Sequence, residues 1–508
     1  MLKPIWIVTG LLLAGGIGVA LATKAFSQQN SLVSETRTVH GHGLKFTQMQ
    51  QTQPPLLSYV PTYYRDVQPI LDKNCVACHV SGGIAPFALD NPKDAAQYAR
   101  DSQFAVQQKR MPPWMPGGES PKFKNETKLS DNDIAVIANW AWAGAPLGKT
   151  ADAKPRVLPN SRIENADVVM DIGKEFTPNP NYSDEYRCFI ADPKQETERF
   201  ITGYDIVAGN KKLVHHVIIF TVEAHLVPEL RKLEQAADGR GGYECFGGPG
   251  TPIRLGGGSG GLGFSIMGNW VPGSSGGVKY PEGMGIRLRP GAVLVLQVHY
   301  NLLGGTGSDR TVAKLNFAPK GAKITALSSS LFLSPVEIAC PSGVSSDPKN
   351  SCSREAAYKS VEAYQEPELT NALKSGLLLT YCQNKVKHEN GITTTSCDFN
   401  VSSDRDILSV QGHMHLLGKA IKLEINPSTK RRVILDIPRW DFHWQTGYWL
   451  ETPMSVKKGD VVRLTCTWDN SAENQPYLGG KQLEPRYVVW GEGTRDEMCL
   501  AGFTALPR

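Results

Sequence analysis

Three strand-like segments carry histidines where apolar residues are expected. His215 and His216 stand in "LVHHVIIF", His299 in "LQVHYN", and His413 and His415 in "GHMHLLGK". Side chains alternate faces along a strand, so His413 and His415 point one way and Met414 the other. A lone histidine in such a run reads as a satisfied core residue. Five are harder to bury, because each imidazole loses hydration and needs a partner, and a metal ion is the usual one. Imidazole suits zinc, copper, iron or nickel, and an added thioether points to copper, which passes through Cu(I). "GTRDEMCLAGF" offers Met498, although spacing alone does not single it out among ten methionines. Structural zinc is disfavoured, since such sites are closed and usually cysteine-rich.

Cys75-Val76-Ala77-Cys78-His79 is C-x-x-C-H, the attachment signature of a c-type haem. Two thiols add to the porphyrin and His79 becomes an axial iron ligand. The rival reading, a thioredoxin-like pair, lacks a surrounding βαβ pattern. "KRMPPWMPGG" supplies Met111 and Met115 as second axial ligands, and Met111, ahead of two prolines and Trp114, is preferred over a role as core filler. A thioether there raises the reduction potential. The unit spans 59–148 and closes with "LSDNDIAVIANWAWAGAP", in which Ser130 is an N-cap and Ile134, Ile137 and Ala138 share a helix face. It resembles small class I cytochromes c, in which a Met-Pro-Pro-Trp stretch and a closing helix of this kind recur.

The chain that positions these residues has 508 of them, enough for about three or four domains. Charged residues make up 20% and hydrophobic residues 41%, which excludes a disordered chain. A net charge of +5 with no basic cluster interleaved with aromatics argues against a nucleic-acid partner. Residues 1–25 hold Lys3 and an uncharged run from Ile5 to Ala22 with a small-residue site at Ala20-Leu21-Ala22. Two readings stand, a signal peptide and an uncleaved membrane anchor, and both export the remainder to the periplasm or the extracellular side. Ten cysteines fit an oxidising compartment. Residues 26–58 are a polar linker, in which His40 and His42 read as solvated, and 149–165 are a second linker. From 166 onward short β-branched and aromatic runs alternate with turn signals, rich in the chain's 50 glycines and 34 prolines. The fold class is therefore multidomain: a small all-α unit, then two all-β antiparallel sandwiches at 166–320 and 321–508. A helical insertion near 341–400 interrupts the second.

"VHHVIIF", "LQVHYN", "GHMHLLGK" and "DEMC" in this order resemble the copper type II, ascorbate-dependent monooxygenases, from about 166 to the C-terminus. The resemblance implies two eight- to nine-stranded jelly-roll-like sandwiches, each with one copper. His215, His216 and His299 match the electron-handling copper site. His413, His415 and Met498 match the site that binds dioxygen and carries the catalytic chemistry. The two coppers are implied to face each other across solvent, with Gln297 matching a glutamine of that cleft; a surface or packing role is the alternative for it. Cys188 with Cys245, and Cys466 with Cys499, match two disulfides of the family. Cys340, Cys352, Cys382 and Cys397 leave three pairings open.

The sequence also departs from the family. Its peptide-amidating members hold a substrate carboxylate with an arginine two residues before the H-x-H, and Gln411 stands there. They place an asparagine and a tyrosine two and four residues after the copper methionine, and Leu500 and Gly502 stand there. A neutral pocket anchors a carboxylate poorly, so a less polar small organic substrate is expected. The leading expectation is an exported monooxygenase with two coppers and one covalent haem c. It would use dioxygen and an electron donor, either an ascorbate-like reductant or a partner cytochrome. The alternatives are a non-catalytic periplasmic haem and copper electron-transfer or copper-binding protein, and a redox-sensing binding protein. His443 reads as packing among aromatics, His388 as a loop residue, and His225 is unassigned.

Overall fold

The computed structural model describes Pro54 and residues 56–508, apart from 84, 125, 157–162, 164, 183, 246–247, 252–262, 272–276, 303–304, 344–351, 363–366, 443, 479–480, 492 and 494. All described residues fall in the unit Val39–Arg508. The expected leader or anchor, His40, His42 and His443 lie outside the described residues. Among the described residues no helix is long and apolar enough to cross a membrane.

Four short helices, Gln68–Asn74, Pro92–Gln97, Ala99–Gln107 and Asp131–Trp142, form the N-terminal part. The last starts where its spacing predicts, with the Ser130 hydroxyl accepting from the Asp133 N–H at 3.0 Å. Val67, Leu71, Ala95, Ala99 and Trp140 fill the centre. Between the third and fourth helices the chain runs along the C-terminal sandwich as a strap. Gly117 N–H donates to Asp436 O, Lys124 N–H to Trp449 O, and Glu451 N–H to Lys122 O. Glu119 takes ion pairs from Lys422 and Arg431.

The rest is β-sheet, as the alternating runs require. Val461–Asp469 shows the pattern plainly: Val462, Leu464, Cys466 and Trp468 are buried, with half-buried residues between them. The first sandwich pairs a five-stranded sheet, in order Tyr243–Glu244, Asp184–Ala191, Val293–Asn301, Val214–Val222 and Phe264–Trp270, with a six-stranded one. Its last strand, Thr325–Ala326, lies beyond the expected boundary near 320, pairing in parallel with Met284–Leu288. The second sandwich packs a four-stranded sheet (Ser328–Leu333, Leu500–Pro507, Arg405–His413, Tyr448–Val456) on a five-stranded one. Leu408 sits at a bulge in Arg405–His413 and joins the core of the first sandwich, which ties the two together.

The helical insertion comprises Arg354–Val361, Pro367–Lys374 and Leu377–Tyr381. Cys340 bonds Cys352 and Cys382 bonds Cys397, resolving the pairing that spacing left open, while Cys188–Cys245 and Cys466–Cys499 are joined as the resemblance implies. Asp398 accepts from Arg463 and Lys385 across neighbouring strands. Arg463 above all, then Lys385, holds its carboxyl down at about 2. A depressed carboxylate stabilises fully above its unfolded value, and that contribution disappears as pH falls through the folded value. Asp398→Asn should therefore lose stability at neutral pH and flatten the further loss between about pH 4 and pH 2, measured by urea unfolding.

Candidate metal centres

The first cluster depends on a bulge. Consecutive residues of a flat strand face opposite ways, which would separate His215 from His216. The register of Val214–Val222 against Val293–Asn301 shifts between Val214, opposite Tyr300, and His216, opposite His299. The extra residue, His215, is re-aimed by the bulge toward the other two. The three Nδ1 atoms stand 3.2, 3.2 and 3.4 Å apart, and the residues are 8, 5 and 0% exposed. A point equidistant from these corners lies about 1.9 Å from each, close to the roughly 2.0–2.1 Å of a metal–imidazole bond. Three buried ring nitrogens cannot satisfy one another, whereas a cation at their centre satisfies all three. Burial above all, then the neighbouring imidazoles, pushes the His216 pKa well down, so its ring stays neutral, the form that binds metal.

Outer partners fix the tautomer. His299 Nε2 lies 2.9 Å from Asp184 Oδ1, which can only accept, so the proton sits on Nε2 and the Nδ1 lone pair faces the cluster. Tyr186 stacks on the His299 ring at 4.1 Å and 9°. Asp184→Ala is expected to weaken metal binding here by roughly 10–100-fold, read by titration against a chromophoric chelator. Unchanged affinity would show that Asp184 does not set this tautomer.

At the second cluster His413 ends its strand and His415 follows, their rings 5.0 Å apart, while Met414 is fully buried in the sandwich core. Both Nδ1 atoms are occupied: His413 bonds Gln445 Oε1, and His415 donates to Asp496 O at 3.0 Å. That turns the Nε2 side of His413 toward a ligand. Burial pushes the two pKa values down to about 4 and about 3. Glu497 anchors the turn. Its carboxylate accepts from His415 N–H at 2.8 Å, Leu417 N–H at 2.6 Å and the Trp468 indole at 3.0 Å. Trp440 donates to His415 O at 3.2 Å, over a Gly418 whose added Cβ would meet its ring at 2.5 Å. Met498 is 2% exposed and lies two residues before Leu500, the register partner of His413. The Cys466–Cys499 bond ties that approach to the opposite sheet.

Between the clusters the structure differs from the solvent that the resemblance implies, and of the two roles open for Gln297 it shows packing. Phe442 stands between the two clusters. Its ring stacks on His215 at 5.5 Å and 20°, and meets His415 edge-on at 5.9 Å. The loop is held from the first sandwich by Asn269, whose amide donates to Gln445 O at 3.0 Å. Gln297 is 2% exposed and donates to Gly248 O at 3.2 Å, so it braces the Cys245 loop instead of lining a cleft. His388 also differs from expectation, lying on Val386–Glu389 with Nδ1 3.0 Å from Thr393 Oγ1. His225 is exposed.

In the helical unit Cys75 and Cys78 are the free thiols among the described residues, and burial raises both pKa values, to about 12 and about 11. His79 Nδ1 lies 2.9 Å from Phe87 O, leaving Nε2 open. Met111 is half-buried just after Ala99–Gln107. Met115 is engaged elsewhere, its Sδ accepting from Asp441 N–H at 3.2 Å. Asp184, Tyr186, Phe442, Gln445 and Glu497 were not found from sequence. Only Glu497 carries a signal in the sequence, its place beside Met498 in "DEMC".

A buried histidine triad that could hold a metal ion and a histidine pair, His415 buried and His413 half-buried, lie in paired β-sandwiches. Residues 375–503 match the family described as copper type II ascorbate-dependent monooxygenase, C-terminal domain, which supports a copper-dependent monooxygenase kind for this part of the chain. No curated protein matches the chain. Among solved structures it is similar to allantoicase (10% identity, 60% of this chain and 78% of that one, TM-score 0.14). It is also similar to a Paenibacillus xanthan lyase (9%, 73% and 29%, 0.14) and to procruciferin, an 11S globulin from Brassica napus (8%, 67% and 82%, 0.13). At such TM-scores these carry no argument.

Proposed function

We propose that this protein is an exported two-copper monooxygenase that hydroxylates a C–H bond of a small, weakly polar organic substrate, with electrons supplied through a covalent haem c. The observation that carries the reading is the triangle of Nδ1 atoms at 3.2–3.4 Å in a buried pocket. His215, His216 and His299 would hold one copper; His413, His415 and Met498 would hold the other. Copper there supplies single electrons to dioxygen and so makes C–H oxidation accessible.

The chain's own residues prepare this chemistry. Asp184 keeps the proton on His299 Nε2, Gln445 and Asp496 O hold the other two rings by Nδ1, and Glu497 fixes the backbone that carries His415. Phe442 and Tyr186 cover the imidazoles and exclude water. Gln411 pairs with Gly502, and His413 with Leu500, so a neutral amide, a bare backbone and an aliphatic side chain lie together beside the second cluster. That combination supports a substrate without a carboxylate anchor. The free Cys75 and Cys78 beside a His79 whose Nδ1 is engaged suit covalent haem, with Met111 as the second axial ligand. Four disulfides support export.

Metal analysis of the full chain should find two coppers and one haem. Incubation with candidate compounds, an ascorbate-class reductant and isotopically labelled dioxygen should give a product carrying one labelled oxygen atom. Label arriving from water, or copper bound without any oxygen uptake, would reject the monooxygenase.

A further inference from the structure

Resting on that reading, we infer that Phe442, reached through the Met115–Asp441 hydrogen bond, is the route by which electrons pass from the haem unit to the copper clusters. The strap connects directly to the loop between the clusters. Met115 is 8% exposed, and its thioether accepts from the Asp441 N–H at 3.2 Å. Asp441 is bonded to Phe442, whose ring contacts His215 of one cluster and His415 of the other. Met111, the axial candidate, lies four residues before Met115 on the same strap.

Three features hold the connection in register. Gly117 N–H bonds Asp436 O, and its Cα packs so closely on Pro438 that an added Cβ would lie 2.7 Å from that ring. Ser120 Oγ donates to Asp436 O at 3.0 Å and accepts from Asp436 N–H at 2.8 Å. Trp114 and Phe123 pack edge-on and tilted against Tyr448, at the far end of the same loop. From the strap to the clusters, covalent bonds, a hydrogen bond and ring contacts follow one another, and electron transfer is fastest along such a connected path. Because Phe442 touches both clusters, the route reaches the clusters at their midpoint rather than through one of them.

Each transfer moves one electron from reduced haem iron to an oxidised copper ion, and no bond forms or breaks. An external one-electron donor of the ascorbate class then reduces the haem again.

The test uses full-chain protein loaded with haem and Cu(II), without oxygen, mixed rapidly with less than one equivalent of ascorbate-class reductant. The reduced haem band should rise, then decay as the Cu(II) paramagnetic signal falls. In Phe442→Leu that decay should slow by an order of magnitude or more, with haem spectrum and copper content unchanged. Phe442→Tyr should restore it, which a purely structural role does not require of the ring. Met115→Leu, which removes the acceptor and keeps the volume, should slow it by a smaller factor. Unchanged decay in Phe442→Leu overturns the route. Wild-type protein lacking the haem band or the Cu(II) signal instead overturns the function on which it rests.

Discussion

On the proposed two-copper function, His299→Ala protein is expected to bind one copper per chain where the native protein would bind two, and to lose hydroxylation almost completely. His299 is fully buried and is one corner of the Nδ1 triangle, with Asp184 behind it. Alanine removes a ligand and leaves the half-buried Asp184 carboxylate without its imidazole donor. Loss of an outer partner alone costs roughly 10–100-fold in affinity or activity, so loss of the ligand should cost more. Elemental analysis after dialysis and product formation under saturating reductant measure both effects. The second cluster should keep its copper, because its residues lie on the other sandwich. A variant retaining two tightly bound coppers would refute the three-histidine assignment.

Glu497→Ala should show the complementary loss at the second cluster, together with a marked fall in stability. Three donors converge on this carboxylate: two backbone N–H groups of the H-x-H turn and the Trp468 indole. All lie in the core, where water cannot replace the acceptor. Each donor left unsatisfied costs about 1–3 kcal/mol. Urea unfolding should therefore show several kcal/mol of destabilisation, and metal analysis the loss of the copper held by His413 and His415. Where the variant folds too poorly to isolate, Trp468→Phe removes one donor and leaves a smaller aromatic ring in its place. It should lower stability by a smaller amount and preserve two coppers. A Glu497→Ala protein as stable as wild type would rule out the anchoring role.

Much of this arrangement was legible in the residues. Histidine in an apolar run is conspicuous because burying an unpaired imidazole is costly, so all five cluster histidines stood out before any contact was known. Alternation in "DVVRLTCTW" revealed a half-buried strand, and Ser130 with Asp133 revealed a helix start. These signals depend on side-chain type and spacing within a few residues.

What decides the geometry is non-local. The doublet faces one cluster because a register shift displaces His215, and register is set by pairing with a strand more than 80 residues away. Asp184 meets His299, and Phe442 meets His215, across separations that no local pattern encodes. By spacing Met115 is an alternative to Met111 as axial ligand, until the strap is laid on the sandwich and its sulfur meets Asp441. Four cysteines around the insertion allow three pairings by spacing, and the folded backbone brings together one. Residue type and strand context thus named the five histidines, and only the family resemblance named Met498. Their convergence arose from strand register and long-range packing, because the free energy of such contacts depends on which distant surfaces are brought together and not on the identity of neighbours in the chain.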